Sequence, residues 1–255
     1  MTKRWITFDL DGTLMQNPFV DWVFPEIISI IQQQLNQDID IKKIIVEEHE
    51  KRMKENRIVE AYDWDDIVKQ VIEELNLSTK IEVTQLVEKH TETPKVYLLE
   101  NNILNTLNEL KIRNYSLAVV TNGYSIYQVP VMKELGLDKL FDTVITPDLC
   151  GYAKPNESIL NSLLYVGEIV AHIGDRIDHD IILANMLGIT SILINKNLPN
   201  NLIEMPLEKR HEDETFLKIC EEKWRAENKM KSVPFLNEAV PDYVITSIEE
   251  LTDIF

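Results

Sequence analysis

Two aspartates, Asp9 and Asp11, follow directly on the short apolar run Trp5-Ile6-Thr7-Phe8. In an extended chain, residues two apart project to the same side. Carboxylates at the end of a buried strand are costly to desolvate, so this placement speaks for chemistry rather than for architecture. Gly12 lets the backbone turn away from the strand just beyond them. Asp175 sits the same way, after the apolar run Ile169 to Ile173 and Gly174. Thr121, closing the run Leu117 to Val120, and Lys154, ahead of Pro155, carry less weight alone. By themselves they read as a strand threonine or helix cap and as a solvated turn lysine.

The elements that must position these residues are strands alternating with helices. Apolar, β-branched runs at Trp5 to Phe8, Leu117 to Thr121, Thr143 to Ile145, Ile169 to Ile173, Ser191 to Ile194 and Tyr243 to Ile245 read as strands. Helical spacing at Ile103-Leu104-Leu107-Leu110 and Ile159-Leu160-Leu163-Leu164 separates some of them, and Ile248 to Phe255 reads as a closing helix. This alternation implies an α/β fold, a Rossmann-like, mostly parallel sheet with helices on both faces. In open sheets of this kind ligands gather at the carboxyl ends of the strands, where Asp9 and Asp175 fall. The alternation is missing from Met15 to about Pro94, where Ile27-Ile28-Ile31-Leu35 and Ile67-Val68-Val71-Ile72-Leu75 keep helical spacing. That stretch predicts a helical insertion after the first strand, with Pro94 as a hinge.

At 255 residues, 44% hydrophobic and 27% charged, the chain is long and apolar enough to bury a substantial core. Its formal net charge of -17 repels duplex nucleic acid and anionic membrane surfaces. No run approaches the ~20 apolar residues of a membrane span. With only Cys150 and Cys220 there is no disulfide framework, which fits a reducing cytoplasm. The five histidines form no metal-ligand spacing, and His172, inside a predicted strand, is expected to be a satisfied core residue.

Asp9-Leu10-Asp11-Gly12-Thr13 resembles the first motif of the haloacid dehalogenase superfamily, and three further motifs follow in that family's order. Val119-Val120-Thr121-Asn122-Gly123 is similar to the second and Gly151-Tyr152-Ala153-Lys154-Pro155 to the third. Ile173-Gly174-Asp175-Arg176-Ile177-Asp178-His179-Asp180 looks like the fourth, continued by Ala184 and Gly188. The resemblance implies a Mg²⁺-dependent phosphohydrolase with Asp9 as nucleophile and Asp11 as general acid–base. It assigns Mg²⁺ to Asp9, the main-chain carbonyl of Asp11, and Asp175. Thr121 and the amides of Asn122 and Gly123 would meet the phosphate, while Lys154 neutralises the clustered negative charge. Asp178 and Asp180 compete for the outer role around the metal; the family's spacing favours Asp180, and Asp178 could equally cap a helix.

By the same resemblance, residues 15–97 form a helical cap, and residues 1–14 with 98–255 form the catalytic core. Within that core, 196–241 is expected to be a largely helical insertion. A helix from Glu208 to Lys231, with a narrow stripe of Phe216, Ile219, Cys220 and Trp224, is expected outside the catalytic core. Asn17, Arg57, Tyr62 and Trp64 are candidates for reaching a small phosphorylated substrate, although a solvated Arg57 and a core Trp64 are the more ordinary readings. A phosphomutase, or an inactive regulatory protein that kept the fold, are the alternatives. The presence of Asp11 speaks against carbon–halogen chemistry. A monomer or a homodimer fits the chain equally well.

Overall fold

The strand runs that bear Asp9, Thr121 and Asp175 lie side by side. The computed structural model describes residues 2–35, 39–228 and 234–255. The strands are β1 (Lys3–Phe8), β2 (Met15–Gln16), β3 (Tyr97–Leu98), β4 (Ser116–Val120), β5 (Thr143–Ile145), β6 (Gly167–Gly174), β7 (Thr190–Ile194) and β8 (Tyr243–Ile245). Six of them form one sheet in the order β5-β4-β1-β6-β7-β8. Every pairing in it is parallel. All the strands therefore end on the same edge.

The helices are α1 (Phe24–Gln32), α2 (Ile41–Lys54), α3 (Trp64–Glu74), α4 (Val83–His90), α5 (Ile103–Ile112), α6 (Ser125–Glu134), α7 (Pro147–Cys150), α8 (Asn161–Val166), α9 (Ile182–Leu187), α10 (Asn200–Ile203), α11 (Glu214–Glu227) and α12 (Leu251–Ile254). Alternation along the strands sends side chains to two covered faces. Leu117 and Val119 pack with Leu107, Val131 and Leu251 from α5, α6 and α12. Ala118 and Val120 pack instead with Leu163 and Leu183 from α8 and α9. Between Trp5 and Ile6 the β1–β6 register slips by one residue, from Ile169 to Ala171. That bulge resets the alternation of β6, so that His172 lies opposite Thr7.

The helices α1 to α4 all fall between β2 and β3, which pair antiparallel and bring the two ends of the insertion together. This two-stranded ribbon was not foreseen from the sequence; two residues per strand carry no periodicity. Asp40 and Asp63 start α2 and α3 by accepting from the amides of Lys43 and Asp66, both at 3.0 Å. Fully buried Arg52 on α2 pairs with Glu48 one turn back (2.9 Å) and reaches α3 at Asp66 (2.7 Å) and Gln70 (2.9 Å).

The expected helix from Glu208 to Lys231 is not continuous. A 3-10 turn spans Leu207–Glu212, and α11 starts afresh after Asp213, whose carboxylate accepts from the Thr215 amide at 2.8 Å. Residues 229–231 of that expectation lie outside the described residues. The stripe packs on the protein's own sheet face: Phe216, Cys220 and Trp224 are buried with Ile177, Ile181, Leu193 and Val244. The closing helix is likewise shorter than expected, a 3-10 turn at Ile248–Glu250 followed by α12.

Candidate active site

The Asp9 amide donates to Ile173 O at 2.8 Å, which fixes the end of β1 against the end of β6. Beyond it, Leu10 O accepts from the amides of Thr13, Leu14 and Met15, and Gly12 turns the chain at φ +82°. A Cβ on Gly12 would stand 2.8 Å from Asp175 Oδ2, so glycine is what lets the first-motif turn approach Asp175. Asp9 is 7% exposed, and Thr13 Oγ1 donates to its Oδ2 at 3.3 Å.

Lys154 is the hub of the site and is no solvated turn residue, being 2% exposed. Its Nζ donates to Asp9 Oδ1 and to Asp180 Oδ1, both at 2.6 Å. The turn that carries it is held by Asn122, whose Oδ1 accepts from the Lys154 amide (2.7 Å) and whose Nδ2 donates to Lys154 O (3.1 Å). Burial alone would strip the lysine of its proton, but Asp180 and Asp9 outweigh that and hold it firmly charged.

Asp180 accepts from the Arg176 amide at 3.0 Å through Oδ2, and its Oδ1 also lies 3.0 Å from His172 Nε2. Burial would raise its pKa, yet Lys154 and His172 hold it well below the ordinary carboxylate range. With both oxygens occupied, Asp180 suits the position behind a metal better than the metal's own shell. Asp178 is turned away onto the Arg176 guanidinium at 2.8 Å and caps no helix.

Asp11 Oδ2 accepts from Gln128 Nε2 at 2.5 Å, and the Asn17 side chain lies near enough to favour the charged carboxyl. Burial and then Asp9 push Asp11 up to about 7. Asp175 is pushed up to about 8 by burial, then by Asp9 and Asp180. It forms no ion pair among the described residues. Thr121, 2% exposed at the end of β4, accepts from the Gly123 amide at 3.2 Å, so hydroxyl and amide share one small loop ahead of α6.

Four carboxylates, Asp9, Asp11, Asp175 and Asp180, thus face one buried lysine. Asp9, Asp175 and Asp180 each offer an oxygen, and the three lie within 4.8 Å of one another. Hard oxygen donors in negative excess suit a hard divalent cation, and the raised Asp11 and Asp175 mark the charge it would neutralise.

The first-motif, second-motif, third-motif and fourth-motif residues are therefore together. Of the four insertion candidates, Asn17 reaches Asp11, and the Tyr62 hydroxyl accepts from Asn122 Nδ2 at 3.1 Å. Trp64 instead packs among Phe24, Phe19 and His49, and exposed Arg57 pairs with Glu55. Three tyrosines dock the insertion on the second-motif segment: Tyr62 on Asn122, Tyr124 on Val59 O (3.0 Å) and Tyr127 on Asp65 (3.0 Å).

Sequence reasoning missed Gln128 and the reach of His172. Gln128 left one signal, a polar residue on the face that α6 buries with Tyr127, Val131 and Met132. His172 is satisfied in the core as expected, 2.8 Å from Thr7 Oγ1, but its other ring nitrogen belongs to the site.

The model of the haloacid dehalogenase-like hydrolases matches residues 6–194, which include all of these motifs. The chain belongs to that family. It is 34% identical to a glyceraldehyde 3-phosphate phosphatase of Methanocaldococcus jannaschii, over 75% of this chain and 84% of that one. It is 31% identical to a phosphoglycolate phosphatase of Colwellia psychrerythraea over 37% of this chain and 43% of that one. Among solved structures, a haloacid dehalogenase-type phosphatase from Thermococcus onnurineus superposes with a TM-score of 0.66 at 23% identity, covering 100% and 97% of the two chains. The L-2-haloacid dehalogenase of Xanthobacter autotrophicus gives 0.60 at 16% identity, covering 100% and 98%. At those identities the likeness extends to the fold.

Proposed function

We propose that this hydrolase is a Mg²⁺-dependent phosphatase that works through an aspartyl-phosphate on Asp9. The observation that carries the reading is Lys154 Nζ bridging Asp9 and Asp180 at 2.6 Å beside Asp11, whose pKa is pushed up to about 7. A carboxyl poised near neutrality can give and take a proton at working pH. One Asp9 oxygen attacks phosphorus, and the ester oxygen departs with the proton of Asp11. Asp11, now ionised, takes a proton from water, whose oxygen attacks the same phosphorus. The bond between phosphorus and Asp9 breaks, inorganic phosphate leaves, and both carboxyls return to their starting state. Thr121 and the amides of Asn122 and Gly123 would hold the phosphoryl oxygens, and Lys154 would offset their charge. Asp9, the Asp11 carbonyl and Asp175 would hold Mg²⁺, with Asp180 behind; bound there, it supplies positive charge to the phosphoryl group.

The two relatives named for their substrates act on phosphate esters of two and three carbons, which favours a small phosphorylated metabolite here. The helical insertion of residues 15–97, docked through Tyr62, is proposed as the cap that bounds the substrate's size. The reading is of a cytoplasmic enzyme with neither duplex nucleic acid nor membrane as partner. Among the described residues no helix is long and apolar enough to cross a membrane.

The test is a panel of two- to six-carbon phosphate esters and nucleoside monophosphates, with Mg²⁺ and with EDTA, for the wild type and Asp9→Asn. Release of phosphate that needs both Mg²⁺ and Asp9 is expected, and transfer to a second sugar hydroxyl would mark a mutase instead. Undiminished turnover in Asp9→Asn would sink the reading.

A further inference from the structure

Gln128 is 3% exposed at the end of the first turn of α6, far in sequence from the first motif. Its amide nitrogen meets two parts of the site at once. It donates to Asp11 Oδ2 at 2.5 Å, and it runs beneath the loop that follows β4, where a Cβ on Gly123 would come within 2.1 Å of it. Glycine at 123 leaves this side chain where it stands, and a Cβ there would push the amide aside. Asp11 Oδ1 and Gln128 Oε1 are both buried with no hydrogen-bond partner among the described residues.

An amide N–H₂ only donates, so it can face only a carboxyl oxygen that carries no proton. Engaged this way, Oδ2 is fixed, and Oδ1 is the oxygen free to exchange a proton. We propose that Gln128 is the positioning residue of Asp11, holding Oδ2 so that Oδ1 is presented to the departing ester oxygen and then to the attacking water. It also ties this orientation to the Thr121–Gly123 loop, so that acid and phosphate are set by one helix. The inference rests on the phosphatase reading above, in which Asp11 is the general acid–base.

Gln128→Met keeps length and volume but removes the donor. The test compares kcat/KM, which reports steps up to departure of the leaving group, for an alkyl phosphate and for 4-nitrophenyl phosphate. The alkoxide needs Asp11's proton and the nitrophenolate does not. The variant is expected to lose about ten-fold or more on the alkyl ester and far less on the nitrophenyl ester, a share of what general acid catalysis contributes. In an Asp11→Asn background Gln128→Met is expected to add no further loss. Should the methionine variant fail to fold, Gln128→Asn, which retracts the amide by one methylene, goes through the same comparison. Equal losses on both esters, additive losses with Asp11→Asn, or no loss at all would overturn the proposal. Wild-type protein without phosphatase activity, or activity that survives Asp9→Asn, would instead overturn the reading beneath it.

Discussion

Glu227 Oε2 accepts a hydrogen bond from the backbone amide of Ile177 at 2.9 Å, with a second from Asp178 at 3.1 Å. Lys223, one turn earlier on α11, pairs with the same carboxylate at 2.9 Å. The segment between Asp175 and Asp180 is thus pinned by the end of a helix that the sequence placed outside the catalytic core. Hydrogen bonds to a charged group contribute about 1.5–3 kcal/mol each, and these two share one carboxylate. Glu227→Ala is expected to lower the unfolding free energy by about 2 kcal/mol and to weaken Mg²⁺-dependent turnover, with Glu227→Gln milder. Chemical denaturation and a Mg²⁺ titration of activity check this. Replacing residues 196–241 by a short linker should cost turnover as well as stability. Full activity after that replacement would show that the pin is idle.

The two raised carboxyls make metal-free stability depend on pH. Asp11 and Asp175 rise from 3.8 to about 7 and about 8, chiefly through burial. In the folded protein each keeps its proton to higher pH than in the unfolded chain. The folded state therefore binds more protons, and stability falls as pH climbs from the unfolded value through the folded ones. In EDTA the melting temperature is expected to be lower at about pH 8.5 than at about pH 6, because both groups ionise across that window. Of the two, Asp175 is the carboxylate that would bind Mg²⁺, and it binds ionised, so the gain in Tm on adding the metal should be larger at the higher pH. Equal gains at the two pH values would count against a metal held by Asp175.

Asp175→Asn separates a metal ligand from a structural aspartate by sign. The substitution removes a half-buried negative charge that Asp9 and Asp180 repel and that has no ion-pair partner among the described residues. The variant is expected to melt higher than wild type in EDTA above neutral pH, to gain little from Mg²⁺, and to lose most of its turnover. Thermal melts with and without Mg²⁺ read all of this. A lower melting temperature in EDTA with an unchanged Mg²⁺ gain would make Asp175 structural.

Much of this was legible because a buried parallel sheet writes short apolar runs and places function at their ends. The runs at Thr143 to Ile145 and Tyr243 to Ile245 match β5 and β8 to the residue, and Asp9 and Asp175 could be picked out by position alone. Lys154 could not: nothing in Ala153-Lys154-Pro155 says that its side chain turns inward, because its partners lie 145 and 26 residues away. Gln128 and Glu227 were hidden for the same reason, each acting across more than 45 residues. The break before α11 was missed because helical composition runs on through it, while a single Asp213 cap resets the backbone. Among the insertion candidates, Tyr62 and Trp64 are alike in sequence, and only packing sends one to Asn122 and the other into an aromatic cluster.

The close approach of β6 to Asp180 gives a last prediction. A Cβ on Gly174 would lie 2.1 Å from Asp180 Cγ and 2.5 Å from its Cβ, too near for a rotamer change to relieve. Gly174→Ala must therefore displace Asp180, which carries the contacts to Lys154 (2.6 Å), His172 (3.0 Å) and the Arg176 amide (3.0 Å). Overpacking of this kind costs about 1–3 kcal/mol, and the freed Lys154 would lose one of the two carboxylates that fix it. The expected result is a lower Tm and a loss of turnover larger than the loss of folded protein accounts for. Gly136→Ala is the control. Its Cβ meets nothing within 4 Å, and its φ of +73° alone charges the substitution about 1 kcal/mol. It should lower Tm modestly and leave kcat and KM as they are. If Gly174→Ala behaved like Gly136→Ala, the Lys154–Asp180 contact would not be what holds the lysine in place.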